Sequence, residues 1–451
     1  NFGLRYDLQE GENEAATVAA NPVFPDTLAA VDFAGNDGGF DWESISPRLG
    51  ATYALGAERK TLLRASYARF AEQLSSGNIS RVNPLGFAEA DYTWNDANGN
   101  GVFDVGEAGQ LVYFTGFDPA NPGAAVSPNR NDPNLDPSVT DELLFGVEHA
   151  FLPEFVVGAD VTYRLTSDVL ETRTLVRDQN GVERTTVASD WIFDHTVVSD
   201  GVTVPHLPNG QQWSADYYAL NPALQRTGGS LLTNGDREIE YLGAGINFTK
   251  RLANRWMARG YFQYGEAEWD VPASYNAIDN PADGVNAGDF FAPSGDGDGE
   301  LFVVQSAGSG PFDNTFIQST WSANLNGMYQ FWPDQPYGFN LAVNLFAREG
   351  YAIPYTYEST LLTDGRQQQV VVTGDVDSFR NEDIFTTDLR LEKDMPFTEN
   401  LSGTLSLDVF NVFNENYAMQ RNIQLDTAEA NFLVQTLSPR IYRLGFRISW
   451  R

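Results

Sequence analysis

Stretches of about ten residues in which every second side chain is apolar recur along this chain, and a period of two fits an extended strand with one apolar face. From Leu401 to Val409, the apolar file Leu401, Gly403, Leu405, Leu407 and Val409 alternates with Ser402, Thr404, Ser406 and Asp408. Phe155, Val157, Ala159, Val161, Tyr163 and Leu165 form another file, opposed by Asp160, Thr162 and Arg164. The closing segment sets Leu444, Phe446, Ile448 and Trp450 against Arg443, Arg447 and Arg451. Further files are Trp321, Ala323, Leu325, Gly327, Tyr329 and Phe331, then Phe339, Leu341, Val343, Leu345 and Ala347. A soluble β-sandwich carries the same alternation, so periodicity alone leaves it open against a membrane barrel.

The connections separate the two. Short links fall at residues 56–59, 152–154, 251–254, 333–336 and 395–400. Between them lie long ones, at residues 10–44, 73–138, 171–235, 270–314, 350–381 and 414–436. Strict alternation of short and long is the asymmetry of an outer-membrane barrel, with periplasmic turns on one rim and extracellular loops on the other. Structureless loops of such length are uncommon in a compact soluble domain. The expected fold is therefore all-β: a transmembrane antiparallel β-barrel wall of about twelve strands, beginning near Phe2 and ending near Trp450, the last running toward the periplasm. Trp256, Trp332 and Trp450 fall at turn-side strand ends, and Tyr67, Phe70, Tyr264 and Trp269 at loop-side ends, the places of two interfacial girdles.

Composition agrees. No window approaches the roughly 18 uninterrupted apolar residues of a spanning helix. Aromatics make up 13% of the chain, and 41 Gly and 22 Pro supply turns. Cysteine is absent, which removes disulfides and thiolate metal sites. His149, His195 and His206 show no ligand spacing and read as ordinary loop or surface residues. The formal charge of −33 is adverse to nucleic acid, whose binding needs Lys and Arg against phosphates. The acids concentrate in loops, at residues 10–41, 91–107 and 279–300, which favours divalent cations or basic partners. No nucleophile elbow or phosphate loop is present, so the chain does not read as an enzyme. Nothing at the amino terminus resembles a signal peptide: Asn1 opens directly onto Phe2, Gly3 and Leu4, which read as mid-strand, so the real start is expected to be missing or processed.

Several segments resemble TonB-dependent receptors of the Oar-like type. Tyr241 to Arg251, a short turn, then Asn254-Arg255-Trp256 is similar to one of their barrel hairpins. So are Ser46-Pro47-Arg48-Leu49-Gly50 with Leu63-Arg64-Ala65-Ser66-Tyr67, and Thr140-Asp141-Glu142 through Gly146-Val147-Glu148. Leu407 to Asn414 resembles that family's penultimate-strand signature, and Ser438-Pro439-Arg440 through Phe446 its last strand, although here Trp450 is followed by Arg451. The resemblance covers residues 1–451 and implies the carboxy-terminal part of a barrel of about 22 strands, with about ten strands and a plug ahead of Asn1. It further implies an outer-membrane location in a Gram-negative bacterium and contact with membrane lipid and lipopolysaccharide. Coupling to an inner-membrane TonB-type complex through the part ahead of Asn1 is also implied, with an unidentified extracellular ligand drawn from large or unusual cargo that includes peptide and protein.

One segment carries chemistry of its own. Within the long extracellular loop at residues 73–138, residues 96–107 place Asp96, Asn98, Asn100 and Asp104 at the first, third, fifth and ninth positions of a twelve-position calcium loop. Gly101 takes the sixth position for the sharp turn, Val102 offers its carbonyl at the seventh, and Glu107 stands at the twelfth. Calcium takes six to eight oxygens, and this order supplies them from one short segment. The flanks, Phe87 to Trp94 and Gln110 to Phe114, read as extended, so a structural Ca2+ between strands is expected, stapling a loop without cysteines; a polar turn is the plain alternative. Asp296-Gly297-Asp298-Gly299-Glu300 lacks the full spacing and reads as a solvated loop.

Two functions compete. One is transport, with ligand bound by the loops and a plug pulled from the lumen. Its polar wall would hold Arg164, Arg259, Arg390, Arg443 and Arg447 with Asp160, Asp388 and Glu392, which equally suit lumen solvation and mutual pairing. The other is a non-transporting structural or adhesive surface barrel with calcium-stabilised loops.

Overall fold

The computed structural model describes residues 1–104, 106–271, 304–307 and 314–450, with backbone only at 304–307 and 314–317. Twelve long strands make one antiparallel sheet in simple sequence order. They are β1 (Phe2–Gln9), β2 (Trp42–Leu55), β3 (Thr61–Ala71), β4 (Val139–Leu152), β5 (Phe155–Ser167), β6 (Glu238–Ala253) and β7 (Trp256–Asp270). The rest are β8 (Trp321–Phe331), β9 (Phe339–Arg348), β10 (Ile384–Pro396), β11 (Leu401–Phe410) and β12 (Ile441–Trp450). The expected twelve-stranded wall is what forms. No helix among the described residues is long and apolar enough to cross a membrane.

Tight turns close one rim. β6 and β7 meet at Asn254 and Arg255, both with positive φ (52° and 72°), the backbone of a two-residue turn whose twist matches that of its strands. The opposite rim carries every long connection. Strands β2, β4, β6 and β7 run 14, 14, 16 and 15 residues, beyond the roughly 9–11 that cross a bilayer. Their excess projects on the loop side.

Register sorts the side chains onto two faces, because residues directly paired across antiparallel strands point the same way. Leu391, Leu407 and Leu444 stand in one row, and Ile246, Phe262 and Ala323 in another. This face is apolar and open: Leu444 is 74% and Phe446 57% exposed. Such a surface is untenable in water and normal against lipid chains. The other face is polar, and all eight charged residues assigned to the wall lie on it. Arg390 pairs with Asp408, which pairs with Arg443, while Asn344 pairs with Asp388. Two aromatics depart from their expected girdle positions. Phe70 turns to the polar face under the Arg48 guanidinium, and Trp269 is buried beneath Arg237, 4.5 Å from its ring centre. Both lie on the polar side of the alternation for their strands, so the lipid-facing places there fall to Tyr67 and Tyr264.

The buried apolar side chains of the described residues lie elsewhere. Each is in a long connection or at the loop-side end of a strand, such as Trp42 and Ile384. The loops are structured. Residues 168–237 supply three strands of a four-stranded sheet whose fourth, Arg130–Asn131, comes from the preceding loop. Trp213 and Tyr217 of this loop share a core with Ile353, Tyr355 and Val370 from residues 349–383 and Ile423 and Leu425 from residues 411–440. A second core joins Phe40 and Trp42 to Ile79, Leu135 and Leu232. Loop 168–237 contributes to both, and so joins the two cores.

Where loops cross, glycine is required. Gly116 donates to the Gly228 carbonyl at 3.0 Å. Both residues have positive φ (78° and 76°), and a methyl on Gly228 would overlap the Phe117 carbonyl.

Candidate functional site

Residues 96–107 lie at the tip of a hairpin formed by Glu89–Trp94 and Ala108–Thr115. Its arms are extended, as their sequence indicates. Gly99 and Gly101 both adopt φ of 71°, which lets the chain curl so that successive N–H groups converge on Asp96. The Asp96 carboxylate accepts from Gly99, Asn100 and Gly101 nitrogens at 2.7, 3.1 and 2.9 Å. Asn98 and Asn100 carbonyl oxygens accept from the Asn100 and Val102 nitrogens at 3.0 and 2.7 Å. Both side-chain amides then donate to one Asp104 oxygen, at 2.6 and 3.0 Å.

Glu107 closes the turn. One of its oxygens accepts from the Ala97 nitrogen, and the other from the Asp104 nitrogen and the Trp94 indole, all at 3.1 Å. Donation from Trp94, helped by the two backbone groups, holds its carboxyl below the usual range despite nearby Asp104. Glu107 is thus a carboxylate at any ordinary pH. Asp96, Asn98, Asn100, Asp104 and Glu107 all sit within this one turn, with Val102 between them; Val105 lies outside the described residues. Among the described residues no group of three or more His, Cys, Asp or Glu side chains is drawn together as a metal centre. The acids here are separated by the N–H groups that each engages. As a donor set, three carboxylates, two amide oxygens and a backbone carbonyl suit a hard divalent cation. Receiving one needs both asparagine amides to turn their oxygens inward, a rotation about one side-chain bond each. The run from Asp296 to Glu300 lies outside the described residues.

The hairpin is fixed to the first loop by aromatic contacts. Phe24 stacks on Tyr92 at 5.1 Å and meets Phe103 of the turn at 5.9 Å, while the Tyr92 and Thr27 hydroxyls are 2.8 Å apart.

A second constellation, invisible in the sequence, clamps the loops. Asp364 accepts from Arg366 at 3.2 Å, from the Leu220 nitrogen at 3.1 Å and from Arg226 at 3.4 Å. Both guanidinium groups lie over the Trp191 ring, at 5.3 and 5.4 Å. Burial would raise the Asp364 pKa, but the two arginines and the backbone donors hold it below the ordinary value. Arg226 and Asp364 are 138 positions apart, and no local spacing marks them. The histidines are likewise placed by tertiary contacts: His195 bonds Asp194 at 2.7 Å and His206 bonds Ser199 at 3.0 Å.

Below the loops, the polar face carries separate hydrogen-bonded and ion-paired clusters. Asn324 donates to Asn344 at 2.9 Å and Asn344 to Asp388 at 3.1 Å. Arg390 reaches Glu392 at 2.7 Å and Asp408 at 3.2 Å, and Arg443 meets Asp408 at 2.9 Å. Arg164 pairs with Glu142 at 2.6 Å.

Comparison with curated proteins gives no match. Among solved structures, the chain is similar to the outer membrane transporter YddB from Escherichia coli, at 13% identity over 91% of this chain and 42% of that one, with a TM-score of 0.45. The ferric-catecholate import receptor Fiu from E. coli K12 gives 11% identity over 99% of this chain and 42% of its own, with a TM-score of 0.45. The FrpB iron transporter from Neisseria meningitidis gives 11% identity, the same 99% and 42%, and a TM-score of 0.43. The chain therefore spans about two fifths of the length of these structures. Residues 1–293 match the model of the outer membrane beta barrel domain, which is more than half of the 451 residues. With an apolar face outward, a polar face behind it and long loops on one rim only, the chain belongs to the outer membrane beta barrel domain family and is an outer-membrane protein.

Proposed function

We propose that this chain forms wall and surface loops of a TonB-dependent receptor that moves an extracellular ligand across the outer membrane. The observation that carries the reading is the loop layer, in which side chains from three separate connections share one core at one rim. A prebuilt surface of this kind positions binding groups on a rigid support, as a receptor needs. The polar clusters that include Asn324, Asp388, Arg390 and Arg443 face what would be the lumen, where the paired charges give a hydrated wall for a plug to move against. Ligand of peptide or protein type suits the breadth of the layer, and the coupling complex would act through a plug outside this chain. Calcium at residues 96–107 would staple the hairpin, as the oxygen-rich turn around Asp96, Asp104 and Glu107 suggests.

The test uses cells expressing the full-length protein and a deletion strain, both fed a defined peptide mixture. Depletion of particular peptides from the medium, abolished by a protonophore and by the deletion, is expected. Equal depletion in both strains, together with loss of cell–cell or surface adhesion on deletion, overturns transport and favours a structural or adhesive barrel.

A further inference from the structure

We propose that a cavity between the first and second loops binds a compact, neutral, apolar group, and that calcium at residues 96–107 holds this cavity in shape; the second half rests on the calcium reading above. The cavity measures about 330 Å3, within the range of small-molecule sites. Ala20, Leu28 and Ala29 of the first loop line one side, and Leu85, Ala88 and Val126 of the second line the other.

Three of the four polar side chains at its wall, those of Thr27, Asn21 and Asp118, are already engaged. Thr27 is bonded to the Tyr92 hydroxyl at 2.8 Å. Asn21 accepts from the Val23 and Phe24 nitrogens at 2.8 and 3.1 Å. Asp118 is held by Arg177 at 2.7 Å. A charged ligand would find no free counter-charge among these groups and would lose its hydration, whereas an uncharged apolar one has little hydration to lose. Apolar burial against small side chains is then the available source of affinity.

The cavity and the calcium turn are mechanically one unit. Ala88 and Gly116, both at the cavity, lead directly into the two arms of the hairpin, Glu89–Trp94 and Ala108–Thr115. The hairpin tip folds back on the far wall: Phe24 lies on Tyr92, with ring planes 7° apart, and touches Phe103. Phe103 sits between Val102 and Asp104, whose carbonyl and carboxylate are two of the six oxygen positions. An ion that fixes those two residues fixes Phe103, hence Phe24 and the segment from Asn21 to Leu28. Released from the ion, the tip frees that wall, and the cavity loses its shape.

The experiment uses the full-length protein in lipid nanodiscs. Two readouts separate the two claims. Trp94, whose indole is 3.1 Å from Glu107, is placed to sensitise terbium luminescence, so terbium displaced by calcium reports ion binding at the turn. The chain has no cysteine, so Ala29→Cys introduces one thiol at the cavity, and its alkylation by N-ethylmaleimide reports occupancy. In calcium, the neutral aromatic probe indole at about ten times its Kd should slow alkylation about tenfold, with little protection in chelator. Adding Phe103→Ala should leave terbium binding intact and remove the calcium dependence of protection. Terbium binding with equal indole protection in calcium and chelator overturns the coupling and leaves the calcium reading standing. No terbium luminescence overturns the calcium reading and the coupling with it. No protection by indole in either condition, in protein that still binds terbium, overturns the cavity as a site.

Discussion

Removing Trp213 tests whether the surface loops form one cooperative layer. Its side chain is 6% exposed and lies in the core shared by three loops, with its ring 5.0 Å from that of Tyr357. Its indole donates to the Pro205 carbonyl at 2.9 Å. Burying roughly 200 Å2 of aromatic surface at about 25 cal/mol per Å2 is worth about 5 kcal/mol. Large-to-small substitutions at such sites cost about 3–5 kcal/mol, the lost hydrogen bond included within their spread. Trp213→Ala should therefore weaken the layer by about 4 kcal/mol. The informative assay is hydrogen exchange at amides belonging to other loops. Thr356 donates to the Ile423 carbonyl and Leu425 to that of Thr356, both at 2.9 Å, and neither is near Trp213 in sequence. If the layer opens as a unit, their protection should fall by about a thousandfold, since each 1.4 kcal/mol is tenfold. Exchange that accelerates only within residues 199–220, with Thr356 and Leu425 unchanged, would refute a shared core. Phe446→Ala on the lipid face should leave all these amides alone.

Four further outcomes follow from particular contacts. If residues 96–107 bind calcium with the affinity of extracellular modules, a Kd of about 0.1–1 mM, then 10 mM calcium stabilises the hairpin by about 1–3 kcal/mol. Glu107→Gln should abolish that gain, measured as calcium-dependent exchange of the amides in Ala108–Thr115. Asp364→Asn should loosen loop 349–383 from loop 168–237 by about 1–3 kcal/mol, because two guanidinium groups over Trp191 lose their carboxylate. The Asp364 pKa is depressed in the folded layer. Its contribution is therefore present above the ordinary aspartate value of about 3.9 and lost as pH falls through the folded pKa, so the layer should loosen on acidification below about pH 4. Gly228→Ala should cost more than about 1 kcal/mol, read as a lowered unfolding temperature, since its φ is positive and the added methyl meets the Phe117 carbonyl.

The wall was legible in the sequence because its strands obey a local rule. Each crosses one medium on each face, so lipid and lumen impose a period of two that Leu401 to Val409 displays without help from distant residues. Strand number followed, and so did the rim of each connection. The loop layer follows no such rule. Leu170–Arg177 and Gln225–Asn234 are neighbours only after a long excursion, and Arg130–Asn131 joins them from another loop. Trp213, Tyr355 and Ile423 are buried by one another, and nothing near any of them in the chain announces it. The turn at Asp96 lies between these cases. Its oxygen-bearing residues are contiguous, so that they share one turn could be read directly, but the turn's support could not. Phe24 and Tyr92 are held together by tertiary folding, and they decide whether an ion at the tip is felt beyond it. The charge distribution points the same way. Wall carboxylates such as Asp408, Glu142 and Glu392 are matched by arginines, so the excess of acid rests with the loops. In that field a divalent cation bound at the proposed site would relieve repulsion as well as gain ligands, and its effect on loop order should fall as monovalent salt screens the acids. A calcium effect on the hairpin that is unchanged between low and high sodium chloride would show that coordination geometry alone, and not the surrounding charge, sets its strength.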